Sequence, residues 1–217
     1  MSKKITLAEI EAYLRKAARA VELDWGIAEE AGKAARWLAA FNLPGAELLL
    51  YQLQNIEGKD YRGLIPDCSR PVWQAASGTI CPVIAGAALA DRSAQMLERK
   101  VFELSGVAFP LLLAATVGQA ARCHQTVFTT SWAGVSVSCY EHGLSIDGNR
   151  DDLLLEKVDS VSCYQNEGSS PQQLPLTMAY SIEVDIWQQI DALAFKTYAP
   201  ATEESRAGAG AGLTDND

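Results

Sequence analysis

Two places in this chain gather residue types that can do chemistry. The first is the run Ser205-Arg206-Ala207-Gly208-Ala209-Gly210-Ala211-Gly212-Leu213-Thr214-Asp215-Asn216-Asp217, where Ala and Gly alternate before a compact acidic end. Asp215 and Asp217 are carboxylates suited to general-base work or to a hard cation, and Arg206 offers forked donors to an anionic substrate. Gly208, Gly210 and Gly212 let backbone approach a ligand closely and present successive amides to it. The second place is Tyr140-Glu141-His142-Gly143, an expected hairpin turn that sets His142 beside a carboxylate, where an imidazole can act as acid or base. The candidate catalytic residues are therefore Asp215, Asp217 and His142. The candidate ligand-binding residues are Arg206, the three glycines and Arg70.

The chemistry this set supports is binding of a small polar metabolite, with hydrolase- or lyase-type proton transfer and the tail completing the pocket. A solvated tail is the plain alternative. An accessory or assembly subunit is another, with the tail docked as a peptide into a protein partner or a second copy of the chain. Other reactive types are less pointed. Cys81 precedes Pro82 at an expected helix start, where the helix dipole favours thiolate, against the commoner role of a buried structural cysteine. Cys123 and His124 are adjacent and so do not face each other on a helix. No CxxC pair or G-x-G-x-x-G run is present, and the sequence identifies no metal site and no cofactor.

The elements that must position these groups divide the chain into helices over 1–57, an irregular loop over 58–78, an α+β core over 79–197 and the tail over 198–217. Thr6 and Glu9 form a T-x-x-E capping box ahead of Ile10, Tyr13, Leu14 and Ala17 at helical spacing. Asp24 is a candidate N-cap for a second helix, and Asn42 with Pro44 ends it. Cys81 to Met96 reads as one buried helix, and Pro110 to Arg122 as another. Lys100 to Phe109 reads as strand or hairpin. The short Val-, Thr- and aromatic-rich segments from Thr126 to Tyr164 read as an antiparallel meander. A strand over Leu176 to Val184 and a last helix capped by Asp185 complete an α+β fold, N-terminal helices followed by a mainly antiparallel sheet with flanking helices.

A net charge of −9 over 217 residues argues against binding nucleic acid, which needs a basic face. No apolar stretch has the length of a membrane span, and the start reads as no signal peptide. Five widely spaced cysteines read as free thiols in a reducing cytoplasm.

Several phrases resemble an uncharacterised bacterial family of about this length: Trp25-Gly26-Ile27-Ala28-Glu29-Glu30-Ala31-Gly32, Cys81-Pro82-Val83-Ile84-Ala85-Gly86 and the Gly208–Asp217 ending. That resemblance implies a cytoplasmic protein and no defined activity. The helix spacing of Leu7 to Tyr51 is also similar to the N-terminal helices of the malate/L-lactate dehydrogenase family unrelated to the Rossmann enzymes. That family's Ser-His-Gly segment corresponds here to Pro44-Gly45-Ala46, so the histidine that hydride transfer would call on is missing.

Overall fold

The computed structural model describes residues 1–98, 100–166 and 173–197. The expected helical first third begins with a strand, β1 (Ser2–Thr6), which passes straight into α1 (Leu7–Ala20). The change falls at Thr6. Its hydroxyl accepts from the Glu9 amide while the Glu9 carboxylate accepts from the Thr6 amide, the reciprocal cap expected from the sequence. β1 is too short to read locally and is fixed by β9 (Ala179–Glu183), far along the chain, with Ile5 opposite Tyr180.

Helices α2 (Trp25–Ala40) and α3 (Gly45–Ile56) follow, and α2 buries Ala28, Ala31, Ala34 and Ala35. Small side chains let both neighbours, α1 and α3, come close to it. Asn42 takes the left-handed conformation that ends α2, at φ 56°. At Gly45 an added Cβ would stand 2.6 Å from the Ala35 carbonyl oxygen, so the backbones of α2 and α3 meet where only hydrogen fits. Asp24 precedes α2 without capping it through its side chain. Its carboxylate accepts instead from the Tyr61 hydroxyl at 2.9 Å, tying the next segment to the helices.

That segment is less irregular than its Gly and Pro content suggests. It contains a 3-10 turn (Tyr61–Leu64) and the strands β2 (Pro66–Asp67) and β3 (Val72–Ala75). The single helix expected over Cys81 to Met96 is two, α4 (Pro82–Ala90) and α5 (Ser93–Leu97), separated by the turn at Asp91-Arg92. Then come β4 (Phe102–Ala108), α6 (Pro110–His124), β5 (Val127–Trp132), β6 (Val135–Cys139), β7 (Leu144–Asp147), the single turn α7 (Arg150–Leu153) and β8 (Lys157–Asn166). After β9, the helix α8 (Val184–Phe195) starts one residue before the expected cap Asp185 and packs on α1 and α3.

The architecture is α+β. Seven strands lie in the order β2-β3-β4-β8-β5-β6-β7, and every named pairing is antiparallel except β3 with β4. β5, β6 and β7 form the expected meander, but β8 returns between β4 and β5, with Cys163 opposite Phe102 on one side and Thr130 on the other. α6 packs on the sheet and under α2 and α4. It is buried almost without break from Pro110 to Ala121, which is why its sequence is apolar all round rather than striped.

Candidate functional site

A cleft of about 580 Å³ opens where the ends of α2 and α6 meet the β6–β7 turn. Its apolar wall is Leu7, Trp37, Ala40, Phe41 and Leu176, and its polar lining includes Gln119, Arg122, Tyr140 and His142. The wall follows from two local features. Trp37 and Phe41 stand four residues apart on one helix face, and their rings meet edge to face at 4.9 Å. Opposite them is Gly118, where an added Cβ would lie 2.5 Å from Cζ2 of Trp37, so the indole rests directly on the α6 backbone.

The turn is held from outside. The Tyr140 amide donates to the Gly143 carbonyl at 2.9 Å, and the Gln173 side chain occupies the place a Cβ at position 143 would take. The irregular segment from Gln173 onward then crosses to α2. The Leu174 amide donates to Leu144, and the Thr177 amide to the Ala40 carbonyl at 2.7 Å. The Thr177 hydroxyl also reaches the carbonyls of Ala39 and Ala40, so these late carbonyls of α2 are satisfied and side chains set the charge of the cleft.

Those side chains are three fixed cations, Lys33, Arg36 and Arg122, and two carboxylates, Glu11 and Glu141. Arg36 is held by Glu11 at 2.7 Å and Lys33 by Glu30 at 2.8 Å. The bond to Glu30 pushes the Lys33 ammonium above its ordinary range, so it stays charged. Arg122 makes no ion pair among the described residues. Gln119 lines the cleft, and its Nε2 is buried without a hydrogen-bond partner among them. An amide donor left so costs about 1–3 kcal/mol unless something accepts from it.

Of the residues singled out by sequence, His142 lies in this cleft, largely exposed, with Nε2 3.4 Å from Glu141. Arg70 does not. It sits at a second cleft on the β2–β3 side of the sheet, bound to Asp67 at 3.0 Å. Asp215, Asp217, Arg206, Gly208, Gly210 and Gly212 lie outside the described residues. Cys81 is the N-terminal residue before α4 as expected, but it is buried, and burial pushes its thiol up rather than toward thiolate. His124 meets Ser93 at 2.8 Å, and the Ser93 hydroxyl donates to the Ala90 carbonyl. The serine proton is thus committed, Nε2 of His124 is the donor, and the pair holds α5 to α6 rather than activating a nucleophile. Trp132 is core, its indole N–H donating to the Asp152 carbonyl.

Sequence reasoning missed Arg36, Arg122, Gln119 and the wall. One signal was available. Lys33 and Trp37, then Gln119 and Cys123, are four residues apart and put cation, aromatic ring, amide and thiol on single helix faces. Among the described residues no group of three or more His, Cys, Asp and Glu side chains is placed to hold a metal ion. No described helix is long and apolar enough to cross a membrane.

A solved dehydrogenase from Sinorhizobium meliloti is similar to this chain at a TM-score of 0.56 and 9% identity, over 89% of this chain and 100% of that one. The fold is dehydrogenase-like. A malate dehydrogenase from Entamoeba histolytica aligns at a TM-score of 0.42 and 10% identity, over 73% of this chain and 49% of that one. Residues 5–81 match a family model described as a protein of unknown function, DUF3726. No curated protein matches the chain in sequence. The expected likeness to a family of unknown function thus has support from β1 through β3 to Cys81. The likeness to the Sinorhizobium meliloti dehydrogenase is one of fold alone. Gly45 and Ala46, which the sequence sets against the Ser-His-Gly segment of the malate/L-lactate dehydrogenase family, are both buried, and at Gly45 even a Cβ would stand 2.6 Å from the Ala35 carbonyl oxygen of α2.

Proposed function

We propose that the cleft between α2, α6 and the β6–β7 turn binds a small metabolite bearing a carboxylate. The observation that carries this is the pairing of Arg122, without an ion-pair partner among the described residues, with the unpartnered Gln119 amide across from an apolar wall. A guanidinium takes a carboxylate through two parallel bonds, an amide N–H takes a carbonyl, and the Trp37–Phe41 wall takes a short carbon skeleton. With Lys33 held by Glu30 and Arg36 by Glu11, Arg122 is the lining cation left without an ion pair among the described residues, a local positive charge in a chain of net charge −9.

In this reading His142 supplies proton transfer of hydrolase or lyase type at the mouth of the cleft. The tail beyond Thr197 is twenty residues long and can span roughly 66 Å when extended, so it has the length to reach the cleft and complete it. The test is a thermal-shift screen of small mono- and dicarboxylic acids on the full chain, on a chain ending at Glu204 and on Arg122→Gln. A specific acid at 100 times its Kd stabilises by about 2.7 kcal/mol. The proposal expects that shift with the full chain, less of it without the tail and little with Arg122→Gln. Unshifted curves throughout would remove it.

A further inference from the structure

The second cleft, about 420 Å³, lies on the other side of the molecule's sheet order, at the start of the parallel pair β3 and β4. Its floor is Trp73 and Phe102, both buried, with rings edge to face at 5.3 Å. Over these rings stand two cations: the Arg92 guanidinium 5.5 Å from the centroid of Trp73, and the Lys100 ammonium 5.0 Å from that of Phe102. Arg70 closes the rim, and among the described residues no carboxylate lines the cleft. Asp67 neutralises Arg70, whereas Arg92 and Lys100 make no ion pair among the described residues.

The remaining bonds of the two cations hold them in place without neutralising them. Arg92 gives one N–H to the Ala88 carbonyl at 3.1 Å, and Lys100 gives one to the Gln95 side-chain oxygen at 3.0 Å. Each keeps further donors, since a guanidinium has five N–H groups and an ammonium three. Aromatic faces hold such cations by about 0.5–2 kcal/mol and leave their charge uncompensated toward an anion. Two cations standing over adjoining, buried aromatic rings of one cleft, in a chain of net charge −9, mark a site rather than general surface basicity.

We infer that this cleft binds a phosphate-bearing small molecule, with the phosphate between Arg92 and Lys100 and Arg70 at the rim. A forked guanidinium and a point-charge ammonium together suit a dianion with three equivalent oxygens. The inference is independent of the carboxylate reading of the first cleft.

The structure supplies a local reporter. Cys68 lines this cleft and is half-buried, while Cys123 lines the first cleft and is exposed. Burial pushes the Cys68 thiol up, so alkylation is run at mildly alkaline pH. The experiment measures iodoacetamide labelling of both thiols by peptide mass spectrometry on the full chain, across a titration of inorganic phosphate, with chloride at matched ionic strength as control. Saturable slowing of Cys68 labelling by threefold or more, with Cys123 unchanged, is the expected result. Arg92→Gln with Lys100→Gln should abolish that protection, and Lys100→Gln alone, at an exposed position, should weaken it at least threefold in a chain that still melts cooperatively. Arg122→Gln should leave it intact. Equal labelling with and without phosphate in the unsubstituted chain would overturn the inference, as would protection that survives the loss of Lys100.

Discussion

In the cleft at the ends of α2 and α6, Glu11 holds Arg36 and Glu30 holds Lys33, and Arg122 keeps its charge for something else. In the cleft on β3 and β4, Asp67 holds Arg70, and Arg92 and Lys100 lie over aromatic rings instead of beside carboxylates. The first cleft couples its charge to an apolar wall and an unpartnered amide; the second places its charge on an aromatic floor. A count of basic residues would rate the two alike. What separates them is which cations are already paired: Lys33 and Arg70 by carboxylates three residues away, and Arg36 by Glu11 on the neighbouring helix.

The floor of the second cleft should break hardest. Trp73 is 2% exposed and packs against Phe102, so Trp73→Ala removes a full core side chain and should cost about 3–5 kcal/mol in urea denaturation. Phosphate protection of Cys68 should go with it. The wall of the first cleft gives the next largest effect. Gly118→Val drives a branched side chain into the Trp37 ring, and overpacking of this kind costs about 1–3 kcal/mol. Carboxylate binding should be lost while phosphate protection of Cys68 persists; loss of both together would mean that the two clefts are one cooperative unit.

Arg122→Gln sharpens the contrast from the other side. It removes an exposed side chain with no ion pair among the described residues, so stability should stay within about 0.5 kcal/mol while ligand affinity falls tenfold or more. The smallest effect concerns a carboxylate that neither cleft uses. Glu47 accepts from Tyr180 at 2.9 Å, but its Oε2 is buried without a partner among the described residues, and burial pushes its carboxyl above the ordinary range. The folded chain therefore holds this proton more tightly than the unfolded chain. The contribution to stability is present below the ordinary glutamate range and is lost as pH rises through the raised value. Glu47→Gln should flatten that part of the stability curve in melts between pH 4 and 8, and an unchanged slope would assign it to other groups.

Much of the fold was legible because its signals are local. The Thr6–Glu9 cap, Asn42 at the end of α2, Pro82 at the start of α4 and the β5–β6–β7 meander rest on neighbours a few residues apart. The pairing of β1 with β9 and the insertion of β8 between β4 and β5 depend on partners far along the chain, and alternation fixes which face a strand buries, not which strand lies beside it. The site divides in the same way. His142 was readable from its turn, whereas Arg122 and Gln119 gain meaning only because Gly118 lets Trp37 stand over α6. Arg70 was readable as a cation, but not as one already held by Asp67.

The most direct test of the account is a calorimetric titration of the strongest small carboxylic acid from the thermal screen into the full chain, into Arg122→Gln and into Arg92→Gln with Lys100→Gln. The account predicts one saturable site per chain, weakened tenfold or more by the loss of Arg122 and unchanged by the loss of Arg92 and Lys100. Equal affinity in the full chain and in Arg122→Gln, or no saturable heat in the full chain, would contradict it.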